Sequence, residues 1–157
     1  MNRTRIISRR KKLFLGHYLS QLKRTNHLAL PAHWRKLIPG GVYLTQGFDQ
    51  NLLILTEKTF QELYQRITSL NIADPLVRLL SRMILGEASF VEMDEKGNIS
   101  LPASLMEYAN LNGDFVIVGQ GNYLEVWSPD QWHQQQAQIN NPQANAQRFS
   151  AFTIATR

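Results

Sequence analysis

The chain has 157 residues, 43% of them apolar and 18% charged, enough for one compact domain or two small ones with a real core. It has no cysteine, which excludes disulfides, thiolate chemistry and Cys-based zinc sites, and it has no run of about 18 apolar residues to cross a bilayer. The net charge of +5 is unevenly placed: residues 1–48 hold ten Lys/Arg and no acid, whereas 49–157 hold seven Lys/Arg against all 12 Asp/Glu. Such a lopsided field attracts phosphate at one end of the sequence.

Taken in order, residues 1–12 show no apolar periodicity and are expected to form a disordered basic arm carrying Arg9, Arg10, Lys11 and Lys12. The arm resembles a signal-peptide n-region, but the apolar run that follows is broken at once by Gly16-His17, so secretion is not expected. Residues 15–22 read as a strand leading into a turn at 23–26. Leu28-Ala29-Leu30 alternates briefly, and Pro31, with its fixed φ and missing N–H, suits the first position of a short helix over 32–38. Pro39-Gly40-Gly41 stops that helix. Val42-Tyr43-Leu44-Thr45 and Leu52-Leu53-Ile54-Leu55 are β-rich runs joined by a loop over 47–51, a hairpin signature.

Thr56 is placed to cap a helix from Glu57 to about Leu70, with Phe60, Leu63, Tyr64, Ile67 and Leu70 on one face. Asp74-Pro75 repeats the cap-plus-proline signal for a helix to about Leu85, with Leu76, Leu80, Met83 and Ile84 as its apolar face. Residues 89–93 begin another strand, and Asp94-Glu95-Lys96-Gly97 is a hairpin turn. A short helix over 103–108, strands over 115–118 and 123–127 and a helix opened by Ser128-Pro129-Asp130-Gln131 complete the series. The remainder, rich in Gln, Asn and Ala, reads as a polar helix or tail.

The same pattern occurs twice. Leu22-(x5)-Leu28-x-Leu30-Pro31-Ala32 is matched by Met93-(x5)-Ile99-x-Leu101-Pro102-Ala103 at an offset of 71 residues. Each copy reads strand, turn, strand, short helix, hairpin, longer helix. A hairpin and a short helix cannot bury an apolar face alone. The simplest architecture is therefore one pseudo-symmetric α+β barrel built from two half-modules, with two helices linking the copies. The boundaries expected are an arm over 1–12, a first repeat over 13–72, a linking helix over 73–88, a second repeat over 89–133 and the tail over 134–157.

Catalytic patterns are lacking. There is no G-x-S-x-G elbow or Walker loop, and Gly119-x-Gly121 precedes a strand, so it reads as a hairpin turn. His17, His27, His33 and His133 show no metal-ligand spacing. Glu92, Asp94 and Glu95 form the one tight acidic group, but they lead into a turn, where acids are common. No enzyme, metal or cofactor is expected. Phe60, Tyr64, Trp127 and Trp132 fall at core positions, and Trp34 reads as packing despite its basic neighbours Arg35-Lys36.

Gly16-x-Tyr18, the two Leu/Met-(x5)-apolar-x-Leu-Pro-Ala repeats and the closing Gly119-x-Gly121-Asn122-x-Leu124-Glu125-Val126-Trp127-(x4)-Trp132 resemble the MraZ family over about residues 13–132. That resemblance implies two tandem SpoVT–AbrB-type modules in a swapped-hairpin β-barrel, a ring-shaped homo-oligomer and a cytoplasmic, nucleoid-associated transcription factor. Its expected partner is double-stranded DNA, at direct repeats upstream of the division and cell-wall gene cluster, with no cofactor and no membrane. The family's hallmark is an Asp followed four residues later by Arg in each DNA-facing hairpin. Here those places hold Lys23 and His27 in the first copy, and Asp94 and Asn98 in the second. Loss of the arginine fork, which reads guanine bidentately, should weaken or alter specificity.

The expected DNA contacts are therefore Lys23, Arg24 and His27, with Arg9, Arg10, Lys11 and Lys12 as a phosphate clamp. Lys96 and Asn98 would contribute less, since their copy is acidic. Three alternatives stand beside this reading: an oligomeric protein-interaction scaffold, a non-specific DNA binder, and an antitoxin-like partner.

Overall fold

Two prolines divide strand from helix at corresponding places. In the computed structural model, which describes residues 13–24 and 26–154, the strands β1 (His17–Gln21) and β2 (His27–Ala29) precede Pro31 and the four-residue helix α1 (Ala32–Arg35). Later, β5 (Ser89–Glu92) and β6 (Asn98–Ser100) precede Pro102 and α4 (Ala103–Tyr108). Both prolines are extended N-caps (φ −53°, ψ 142° and φ −60°, ψ 141°), whereas the sequence predicts the first helical position for Pro31. Proline's fixed φ suits either place, and at the cap its missing N–H leaves no donor unsatisfied. The first helix is also shorter than the predicted 32–38, because Leu37 and Ile38 donate to Trp34 and Arg35, three residues back, and tighten the chain into a turn.

Between these units lie the hairpin β3 (Gly41–Gln46) and β4 (Leu52–Leu55), then α2 (Glu57–Thr68) and α3 (Pro75–Ile84). After α4 come the hairpin β7 (Asp114–Gly119) and β8 (Tyr123–Trp127), then α5 (Pro129–Ile139) and α6 (Pro142–Arg148). The predicted caps form. Thr56 accepts from Thr59 N–H, Asp74 from Leu76 N–H and Ser128 from Gln131 N–H. Asn141-Pro142 carries the same cap-plus-proline signal, with Asn141 accepting from Ala144 N–H, and it opens a helix the sequence reading left undivided from the tail.

Six strands form one antiparallel sheet in the order β1-β7-β8-β4-β3-β5, and β2 and β6 form a separate two-stranded ribbon. The order is symmetrical. Tyr18 pairs with Ile117 at one end, and Ser89 pairs with Leu44 at the other. At the centre Leu52 faces Val126 and Ile54 faces Leu124, while in the ribbon Leu28 faces Ile99. The first strand of each half thus pairs with the hairpin of the other half.

The α+β expectation agrees with this arrangement, but the closed barrel does not: β1 and β5 are the two ends of the described sheet, and the ribbon bonds only to itself. The ribbon strands pair with each other instead, and Pro31 and Pro102 turn the chain into helices soon after them, so neither continues onto a sheet edge.

The core lies between the sheet and the ribbon. Leu28, Ile99, Val42, Leu44, Leu52, Phe115 and Leu124 are fully buried there, with Trp34 and Leu105 supplied by the short helices. Trp34 is packing, as expected. Val116, Val118 and Trp127 form a smaller cluster on which Trp132 packs. The core assignment of Tyr64 is corrected, since it is 47% exposed, and Leu70 and Leu76 on the two predicted apolar faces are exposed as well. Helix α3 is seated through its last turn, where Ile84 is buried and its carbonyl accepts from the Thr45 hydroxyl; its first turn stands off the sheet.

One partly buried acid ties the two hairpin loops together. The Glu125 carboxylate accepts from Asn51 Nδ2 (2.8 Å), Gln120 Nε2 (3.0 Å) and Trp127 Nε1 (3.2 Å). Burial pushes its pKa up, and these three donors pull it back only in part. Among the described residues, no helix is long and apolar enough to cross a membrane.

Candidate nucleic-acid interface

The two strand-turn-strand units project their turns side by side. In the first, Leu22 N–H anchors to Gly113 O (2.6 Å), and Lys23 and His27 exchange both backbone bonds (2.7 and 2.8 Å). Arg24 takes a left-handed φ of 50° to close the loop between them. In the second, Asp94 N–H donates to Asn98 O (3.1 Å), but the return bond is made differently. Asn98 N–H donates to the Asp94 carboxylate at 2.8 Å, joined by Lys96 N–H at 2.9 Å and the Asn98 amide at 2.9 Å. Gly97 completes this turn at φ 78°, where a side chain would be strained.

Lys23 stands where Asp94 would be expected, so the first turn has no carboxylate to organise it. The second turn is built around one. The ribbon then brings the turns together: Leu101 N–H donates to Asn26 O (2.8 Å), Leu30 N–H to Gly97 O (3.0 Å), and Asn26 Nδ2 approaches Ser100 Oγ (3.4 Å).

The result is an open cleft of about 540 Å³ lined by Lys23, Arg24, His27, Asp94, Glu95, Lys96 and Asn98. Five sequence-predicted site residues therefore meet there: Lys23, Arg24, His27, Lys96 and Asn98. Arg9, Arg10, Lys11 and Lys12 lie outside the described residues. The sequence places Asp94 in this turn and at the hallmark aspartate place, but not as the group whose carboxylate organises the turn. Sequence reasoning also missed Arg35, whose contact with the second turn spans 61 residues and leaves no local signal.

The cleft has a second distinguishing feature. Among the described residues, four buried side-chain polar atoms lack partners, and three of them sit at these turns: His27 Nδ1, Arg35 Nε and Asn98 Oδ1. These three are donor and acceptor atoms at the turns that no group within the described chain satisfies. Chemically, three cations and an amide can meet phosphate oxygens and base edges, while Asp94 and Glu95 oppose close approach on one side. Among the described residues there is no group of three or more His, Asp and Glu able to hold a metal ion.

Comparison with known proteins decides the family. A family model described as "MraZ protein, putative antitoxin-like" matches residues 84–152. Proteins called Transcriptional regulator MraZ from Thermomicrobium roseum and Herpetosiphon aurantiacus are each 38% identical over 120 residues, covering 76% of this chain and 84% of theirs. The protein of that name from Mycolicibacterium smegmatis is 32% identical over 144 residues, 92% of this chain and 96% of its own. The chain belongs to the MraZ family. The region matched by the MraZ model contains the second turn, the β7–β8 hairpin and α5.

The second turn of this MraZ chain has an acid-labile support. Asn98 N–H first, then the Asn98 side chain, and more weakly the Lys96 N–H and charge, hold the Asp94 carboxyl below its ordinary value of 3.8. A depressed carboxyl stabilises the fold above its ordinary pKa, and the stabilisation is lost as pH falls through the depressed one. Asp94→Asn is therefore expected to lower the denaturant midpoint at neutral pH. The gap from wild type should close as both are titrated below the ordinary aspartate range. A gap that is constant with pH would remove the carboxylate from this role.

Proposed function

We propose that the protein is a sequence-specific DNA-binding transcriptional regulator of the MraZ type, acting in the cytoplasm at the nucleoid. Its targets are direct repeats upstream of the division and cell-wall gene cluster. In this reading residues 13–72 and 89–133 are two SpoVT–AbrB-type modules with exchanged hairpins, joined by helix 73–88, flanked by the arm 1–12 and the tail 134–157. Copies assemble as a ring-shaped homo-oligomer that presents several turn pairs to successive repeats.

The observation that carries the reading is the meeting of Lys23, Arg24, His27, Lys96 and Asn98 around one cleft on two adjacent turns. The printed name of the relatives supports the regulatory role. Footprinting on the region upstream of the gene itself, with a salt titration and random DNA as competitor, tests it. A protected set of spaced repeats is the expected result, and protection that random DNA abolishes as readily as cognate DNA would overturn sequence specificity.

That second outcome would favour a non-specific binder or a protein-interaction scaffold. One observation points that way: Asp94 and Glu95 share the cleft with the cations, and neither turn holds the family's Asp/Arg pair.

A further inference from the structure

The two turns differ in how they are held. Arg35, the last residue of α1, belongs to the first half of the chain but reaches the turn of the second. Its Nη1 donates to Lys96 O at 2.7 Å. Its methylenes cross Gly97 so closely that a Cβ at Gly97 would collide with Arg35 Cγ and Cδ. Gly97 is buried under this side chain, and Arg35 Nε is itself buried without a partner. One arm of the guanidinium is thus committed to the turn, with Nε shielded beneath the same contact.

Among the described residues no arginine from the other half crosses the first turn in this way. The residue 71 positions after Arg35 is Met106, which has no donor and packs against the core, and Asn26 stands where Gly97 does in the second turn. Together with the three bonds to the Asp94 carboxylate, the strut makes the second turn the more heavily bonded member of the pair.

We propose that Arg35 is a positioning residue for DNA recognition. It fixes the Lys96–Asn98 backbone so that this turn presents its side chains in one geometry, and the second turn discriminates sequence while the first supplies charge. A recognition edge that is already ordered loses less conformational freedom on binding and penalises a mismatched partner more. This inference rests on the DNA-binding reading.

Two variants test it: Arg35→Met, the residue the other half carries, and Arg35→Lys, which keeps the charge but shortens the reach. Hydrogen exchange at the Gly97 and Asn98 amides is measured without DNA. Binding to promoter-repeat DNA and to random DNA of equal length is then measured across salt, with thermal melts as the folding control.

For Arg35→Met, exchange at both amides is expected to rise about tenfold. The ratio of cognate to random affinity should fall about tenfold while the salt slope is unchanged. Arg35→Lys should share the loss of discrimination, and it carries the test if the Met variant does not fold. Unchanged exchange would overturn the proposal. So would equal weakening on both DNAs with a salt slope lower by about one, which would make Arg35 a phosphate contact. A Lys variant that behaves as wild type beside a defective Met variant would show that charge alone matters. If the wild type binds neither DNA, the functional reading fails, and the exchange data still decide whether Arg35 braces the turn.

Discussion

Replacing Lys23 and Arg24 together by alanine is expected to weaken DNA binding about thirtyfold near 0.15 M salt and to lower the salt slope by about two. Each neutralised phosphate contributes a slope of roughly 0.9, so two contacts scale affinity by about 30 between 0.15 M and a 1 M reference. Both side chains are exposed at the edge of the cleft, and the Lys23–His27 bonds are made by backbone atoms that alanine retains. The left-handed φ of Arg24 strains alanine no more than arginine, since both carry a Cβ. The double variant should therefore melt like the wild type. Random and cognate DNA should be weakened alike, because phosphate contacts position without reading sequence. Unaltered affinity and slope would remove the first turn from the interface.

The largest expected loss of stability comes from Trp34→Ala, about 3–5 kcal/mol. Trp34 is 1% exposed and sits between Phe14 (6.1 Å, 85°) and Tyr18 (5.1 Å, 78°) in edge contacts. Removing the indole takes away both the buried area and these aromatic pairs, and the backbone of a four-residue helix cannot collapse to fill the space. At about 2–4 °C per kcal/mol for a chain of this size, the melting temperature should fall by about 6–20 °C. Trp34→Phe should fall much less, since it keeps a ring in the same slot. Because Trp34 precedes Arg35, the alanine variant should also release the second turn; a destabilised protein whose Gly97 and Asn98 amides keep their protection would contradict that link.

In the proposed reading Lys23 and Arg24 act through charge at the surface and Arg35 through its reach beneath the opposite turn, and only a variant series that holds charge constant distinguishes the two. That reading pairs a cationic first turn without a carboxylate with a second turn organised by Asp94.

Much was legible in the sequence because it is set by local chemistry. Thr56, Asp74 and Ser128 cap helices through bonds within three residues, and Asp94-to-Gly97 closes its own turn. The 71-residue repeat and the confinement of basic excess to residues 1–48 are one-dimensional facts, as is the resemblance to the MraZ family. Which strands pair was not local. That β1 joins β7 while β5 joins β3, and that the ribbon brings Lys23 beside Lys96, depends on contacts between residues about 45–100 apart.

The same distance hid the open sheet, the exposed first turn of α3 and the strut from Arg35. A periodic pattern states that a residue has an apolar face but not what will cover it: Leu76 lies on such a face and is left uncovered, because α3 is seated only at its far end. Sequence alone thus determined the elements, their caps and the charge they carry. The tertiary structure decided which turn is braced and which is not, because bracing requires a side chain from one half to cross onto the backbone of the other.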